Sequence, residues 1–305
     1  MYRSSVESEM TMDIGIAFAI VAALGLAVQA LTVRVATLQG RSSDVLFVVL
    51  VVNTVLLAPI AAFSSLDSQL PVSGMAAFAV AGILGTAVGR AFLFEGIKTV
   101  GASRAEPIKA STPLHATVLS VLVLGESVTG LQFVGVLTII GGIAVITWDG
   151  SAASRATPEG VPWTGLALPF AAAFCFGLEP IFASIGFREG VPLFVGLAVQ
   201  AIAGLLAYAV YLTWIGSLPT VGRLRAADLR WYVFAGLSST TFIFAYYVGL
   251  SVSTVGVVVP IMQTSPLVVV LLSVIFLRKL ERVTPTVIAA AGIIVTGGVL
   301  VALAG

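Results

Sequence analysis

The chain has 305 residues, 59% of them hydrophobic and only 10% charged, with 15 Lys and Arg against 14 Asp and Glu. A soluble domain carries about 25% charged residues, so this composition cannot cover a water-facing surface, and it is far too apolar for a disordered chain. The mean hydropathy of +1.11 suits a bilayer, and a net charge of +1 gives no reason to expect a nucleic-acid partner.

A membrane-spanning helix needs about 20 mostly apolar residues. Apolar runs ended by charges, Pro and Gly predict ten of them: Ile14–Val35, Val45–Phe63, Met75–Ile97, Arg104–Leu124 and Val128–Trp148 in the first half. The second half adds Trp163–Phe187, Leu193–Ile215, Leu229–Leu250, Val255–Leu277 and Val283–Ala304. Ser103-Arg104-Ala105-Glu106 reads as a capping box opening the fourth span. Thr284-Pro285 reads as a cap and first-turn proline opening the tenth. Trp148, Trp163, Trp214 and Trp231 all fall at predicted span ends, where amphipathic indoles favour the headgroup level. Ala27-Val28-Gln29-Ala30 resembles a cleavage site, but the preceding tail sets Arg3 against Glu7, Glu9 and Asp13. That is the wrong sign for a signal peptide, so the first span is expected to be retained.

The chain repeats itself. Pro107, Ile108, Pro113, Leu114, Leu119, Ser120 and Val121 recur 153 residues later as Pro260, Ile261, Pro266, Leu267, Leu272, Ser273 and Val274. Glu126-Ser127-Val128-Thr129 recurs as Glu281-Arg282-Val283-Thr284, and the pair Gly141-Gly142 as Gly297-Gly298. Each repeat would hold five spans, with units 1–150 and 151–305. Five is odd, so the second unit enters the membrane upside down relative to the first, an arrangement that lets two halves exchange conformations around a central site. The expected fold is therefore an all-α integral membrane protein of ten helices in two inverted repeats.

On these residues the chain resembles the drug/metabolite transporter superfamily, EamA type, with two tandem EamA repeats. Gly101-Ala102-Ser103 leading into Pro107 and Pro113, and then Leu124-Gly125-Glu126-Ser127-Val128-Thr129, carry the resemblance; the second copy departs from it with Lys279-Leu280-Glu281. The resemblance implies a ten-helix carrier of small organic solutes and specifies no substrate. Orientation stays open. Eleven Lys and Arg fall in the loops after odd-numbered spans or at the span ends beside them, and only Arg3 and Arg188 on the other side. That bias places both termini outside, whereas the resemblance implies both inside.

Ionisable groups at depth cost about 2.5–3.5 kcal/mol on insertion scales, so those present should face a cavity or a partner. The candidates for substrate binding or coupling are Glu179, Arg90, Lys109, Glu106, His115, Gln29, Asn53, Tyr246 and Gln263. Glu95, Gln200 and Tyr247 are also intramembrane polar groups, and Arg34 is close enough to a span end to snorkel. Glu179 is followed by Pro180, whose missing N–H frees a carbonyl one turn earlier, a setting that suits a cation or a proton. Arg90 can clamp an anion, Lys109 and Gln263 sit near repeat-equivalent positions, and His115 titrates near neutrality. The Gly-rich tracts Gly135–Gly142 and Gly292–Gly298 read as scaffold or as a homodimer face.

A lone Cys175 and a lone His115 exclude an internal disulfide and argue against a metal site, and no cofactor motif occurs. The expected protein is a multi-pass plasma-membrane secondary transporter, an exporter or exchanger of small metabolites with the site between the repeats. Coupling to protons through Glu179 or Glu106 is part of that expectation. A membrane-embedded enzyme and a channel are the alternatives.

Overall fold

A computed structural model describes residues 2–37, 41–64, 70–93, 109, 111–152, 163–220, 222, 224, 229–262, 264–265, 268, 272 and 285–304. In chain order the helices are α1 (Tyr2–Thr37), α2 (Ser42–Ser64) and α3 (Val72–Ala81), the last running on as a π-helix over Gly82–Gly89. Next come α4 (Thr112–Leu119), which ends in a π-helical turn over Ser120–Leu124, and α5 (Gly130–Ala152). The second half holds α6 (Trp163–Arg188), α7 (Leu193–Trp214), α8 (Leu229–Val252), α9 (Val255–Met262) and α10 (Pro285–Ala304). Among the described residues, six stretches are long and apolar enough to cross a membrane: Met12–Val33, Ser43–Phe63, Val72–Leu93, Ala167–Arg188, Leu193–Trp214 and Leu229–Val252. Helix suits a spanning chain because it pairs its own backbone N–H and C=O groups where lipid offers them no partner.

The packing follows the sequence repeat. Helix α1 lies along α8 as α3 lies along α6; α2 meets α8 as α3 meets α7; α1 meets α9 as α6 meets α4. Exchanging α1 with α6, α2 with α7 and so on maps each of these contacts onto another. The pairs α2–α7, α4–α9 and α5–α10 map onto themselves.

The α5–α10 seam shows how such a contact is built. A Cβ on Gly135 would lie 2.8 Å from the Gly297 carbonyl oxygen, and one on Gly297 would lie 2.7 Å from that of Gly135. The two backbones touch, which only glycine allows. Gly142 likewise meets Ile294 and the Ala290 carbonyl. These glycines serve as internal scaffold, which takes them away from a homodimer face. Gly141 and Gly292 point into open space.

Large side chains face outward along the spans, as lipid permits: Val55 is 62% exposed, Leu206 61% and Val210 69%. Helix α10 begins at Pro285, as the sequence indicated. Trp214 and Trp231, at the ends of α7 and α8, are exposed, as belt residues should be. Pro113 lies in the first turn of α4, where proline costs nothing, so it starts the described helix and does not bend it. Pro260 is inside α9.

Replacing Gly135 with Val should force the seam apart and destabilise the protein by about 1–3 kcal/mol. A lower thermal midpoint in detergent is the readout, and Gly141→Val should leave that midpoint unchanged.

Candidate functional site

The polar centre is built on Glu179. Helix α6 carries it about 13 Å from the helix end at Arg188, by the rise of 1.5 Å per residue, which is near mid-bilayer. Its Oε1 accepts the Gln200 Nε2 amide from α7 at 2.8 Å and the Tyr247 hydroxyl from α8 at 3.2 Å. The Arg90 guanidinium, at the end of the π-helical stretch of α3, interacts electrostatically with Glu179 and with Tyr208 of α7. Arg90 and Glu179 are both half-buried, whereas Gln200, Tyr208 and Tyr247 are buried. Pro180 follows Glu179 inside α6, so the Phe176 carbonyl lacks its usual helical donor.

Glycine makes room for the carboxylate. The Glu179 Oε2 occupies the space where a side chain on Gly85 would begin. Gly82 does the same for the backbone of Gln200. Both belong to the π-helical stretch of α3, a distorted winding that recurs at functional sites. Helix α3 thus approaches α6 and α7 closely enough for Arg90 to reach the acid.

The two sides of this centre differ. Toward the face that carries the chain termini, Phe78, Phe187 and Tyr247 close on one another, with ring centroids 5.0 Å apart for Phe78–Phe187 and 6.1 Å for Phe78–Tyr247. Phe194 stacks on Phe244 at 5.9 Å. Toward the other face lie Tyr208 and, beyond it, the buried Asp44 in the first turn of α2, which interacts electrostatically with Tyr208 and Tyr232.

Of the residues singled out from sequence, Glu179, Arg90 and Tyr246 come together. Tyr246 is buried beside Tyr247, at 5.1 Å between rings, and within electrostatic reach of Glu179. His115 does not join them. Its Nδ1 lies 2.9 Å from the Ser111 carbonyl oxygen, and its ring meets Phe170 and Phe174, on the opposite side of α6 from Glu179. Asn53 ties α2 to α8, its amide lying 3.2 Å from Ser239 Oγ and 2.9 Å from Thr240 Oγ1. Gln29 is buried in α1, and its Oε1 accepts no hydrogen bond among the described residues. The Lys109 carbonyl accepts the Thr112 hydroxyl at 2.7 Å. Glu95, Glu106 and Gln263 lie outside the described residues, as does the capping box at Ser103. Sequence reading missed Tyr208, Asp44 and Gly85. A signal existed for two of them: Gln200 and Tyr208 are eight apart, hence on one helical face, and Gly82, Gly85 and Gly89 form a stripe.

The sequence matches the EamA-like transporter family twice, over residues 13–148 and 163–303. The chain belongs to that family. It is a membrane transporter of the drug/metabolite superfamily, and its apolar helices make it a multi-pass membrane protein. A solved crystal structure 18% identical in sequence superposes on it with a TM-score of 0.72 over 97% of each chain, which speaks to the fold alone. No individually curated protein matches it.

A hydrogen bond to a charged group is worth about 1.5–3 kcal/mol. Tyr247→Phe and Glu179→Gln should therefore be coupled in a double-mutant cycle of thermal stability, by about 1 kcal/mol. His115→Ala and Glu179→Gln should add independently within about 0.5 kcal/mol.

Proposed function

We propose that this chain is a ten-span secondary transporter of small organic metabolites, an exporter or exchanger in the plasma membrane. It works by alternating access between inverted repeats, residues 1–150 and 151–305, with the substrate site around Glu179. The observation that carries this reading is that the buried polar centre is shared between the repeats. Arg90 and Gly85 come from the first, and Glu179, Gln200 and Tyr247 from the second. A rocking motion between the halves would assemble and dismantle such a centre, which is what a carrier site requires.

The arrangement also supports a binding role chemically. Arg90 supplies a cation for an anionic group of the substrate. Gln200 Oε1 is buried with no donor among the described residues, so a substrate N–H or O–H would satisfy it at little cost. Glu179 is the coupling group: protonated, it releases its hold on Arg90; ionised, it restores it. The aromatic seal of Phe78, Phe187 and Tyr247 favours a carrier over a continuously open channel. Both termini lie outside on the positive-inside count. Arg188 weakens the opposing count further, because its guanidinium donates to the Leu124 carbonyl at 2.7 Å and so has a structural use.

Cells with and without the gene, compared for released metabolites, should differ in a small set of polar solutes. In proteoliposomes the same solutes should show saturable flux driven by a pH gradient. Glu179→Gln should abolish the pH dependence while leaving exchange at equal pH, and Arg90→Ala should raise KM about tenfold or more, the loss of one charged contact. Unchanged coupling in both Glu179→Gln and Glu106→Gln would remove proton coupling from the mechanism. A reporter enzyme fused after Gly305 should be active only outside the cell.

A further inference from the structure

The motif Leu124-Gly125-Glu126 ends the first repeat's fourth helix, yet nothing in the polar centre uses it. Its carboxylate reaches across to the other repeat. Glu126 Oε1 accepts the backbone N–H of Val255 at 3.3 Å, and Oε2 that of Gly256 at 3.3 Å. These are the first two residues of α9, whose opening N–H groups have no partner within their own helix. Negative charge there is favoured by the helix dipole as well. The reach depends on a local turn: Gly125 is left-handed at φ 68°, and the Glu126 N–H folds back onto the Ser120 carbonyl at 3.2 Å.

Other ties between helix ends lie on the same face. Arg188 Nη1, at the end of α6, donates to the Leu124 carbonyl at 2.7 Å, joining the second repeat to the first beside Glu126. Ser73 Oγ, at the start of α3, donates to Glu189 Oε2 at 2.9 Å. Both also cross between repeats. Just inside them lies the aromatic closure of Phe78, Phe187 and Tyr247. The terminal face is therefore shut twice, by aromatic packing and by inter-repeat hydrogen bonds, among which Glu126 holds two backbone donors at once.

We propose that Glu126 is the latch of the terminal-face gate: its carboxylate, capping α9 across the repeat boundary, holds that face closed, and its release lets the face open. The proposal rests on the carrier reading above, since only a protein that alternates has a gate to hold. Glu126 is a positioning residue, remote from Glu179, and acts through α9. Substrate would reach the centre from the terminal face only after the Glu126 bonds to Val255 and Gly256 are broken.

The test is hydrogen exchange by mass spectrometry on the full-length protein in lipid nanodiscs, with no substrate added. In Glu126→Ala the amides of residues 251–259 should exchange about tenfold faster, the factor expected for one lost charged hydrogen bond. Residues 72–80 and 186–197, which hold the other inter-repeat ties and the aromatic closure, should speed up with them. The α5–α10 seam, residues 135–142 and 292–301, should stay as protected as in the wild type. Glu126→Gln keeps one acceptor oxygen and should fall between wild type and Glu126→Ala, so it carries the test if the alanine variant misfolds. A change confined to residues 251–259 would make Glu126 a plain helix cap and overturn the latch, and so would uniform loss of protection that includes the seam. Coordinated opening with no solute flux from any preparation would leave the gate standing and count against the transport reading alone.

Discussion

A carboxylate at mid-bilayer has to find its partners inside the protein, and Glu179 draws three other helices to its own. Gln200 brings α7 to it, Tyr247 brings α8, and Arg90 brings α3. The approach of α3 is close, with the backbone at Gly85 against the carboxylate. A side chain at Gly85 would take the space that the Glu179 carboxylate now fills. The charge, the glycine and the π-helical winding of Gly82–Gly89 are thus one solution to one electrostatic problem.

The contacts between the helices are of two kinds. Helices α5 and α10 meet backbone to backbone at Gly135 and Gly297, with no polar group to trade for another. Such a contact has one good geometry and behaves as a fixed seam. The contacts around Glu179 and at the terminal face are different. At the terminal face they are hydrogen bonds between the repeats, and around Glu179 it is the interaction with Arg90 that crosses between them. Under the proposed carrier mechanism, alternation is cheapest where the bonds broken can be replaced, so the seam would be the pivot and the polar ties the moving faces.

Much of this was legible before any coordinates. Span positions follow from apolar runs, and the described helices begin or end within a few residues of them at Arg188, Leu193, Trp214 and Val252. Glu179 and Arg90 stood out because charge is rare in so apolar a chain. His115 stood out for the same reason, but it points to Phe170 and Phe174 and bonds within its own helix. Rarity identifies a residue that needs an explanation; it does not say toward which neighbour the side chain turns. Tyr208 and Gly85 escaped for the opposite reason, since a tyrosine and a glycine are unremarkable in a membrane helix.

The sequence by itself determined the solvent, the helical content and the doubling, because each depends on composition, local periodicity or identity along the chain. It also limited the site to a few polar residues. Which of these meet was decided by tertiary structure alone. Glu179 lies 89 residues from Arg90 and 68 from Tyr247, and Glu126 lies 129 from the N–H of Val255 that it accepts. No local rule pairs positions so far apart. They are joined by how the helices rotate about their own axes, and glycines such as Gly82, Gly135 and Gly297 set that rotation by permitting backbones to touch.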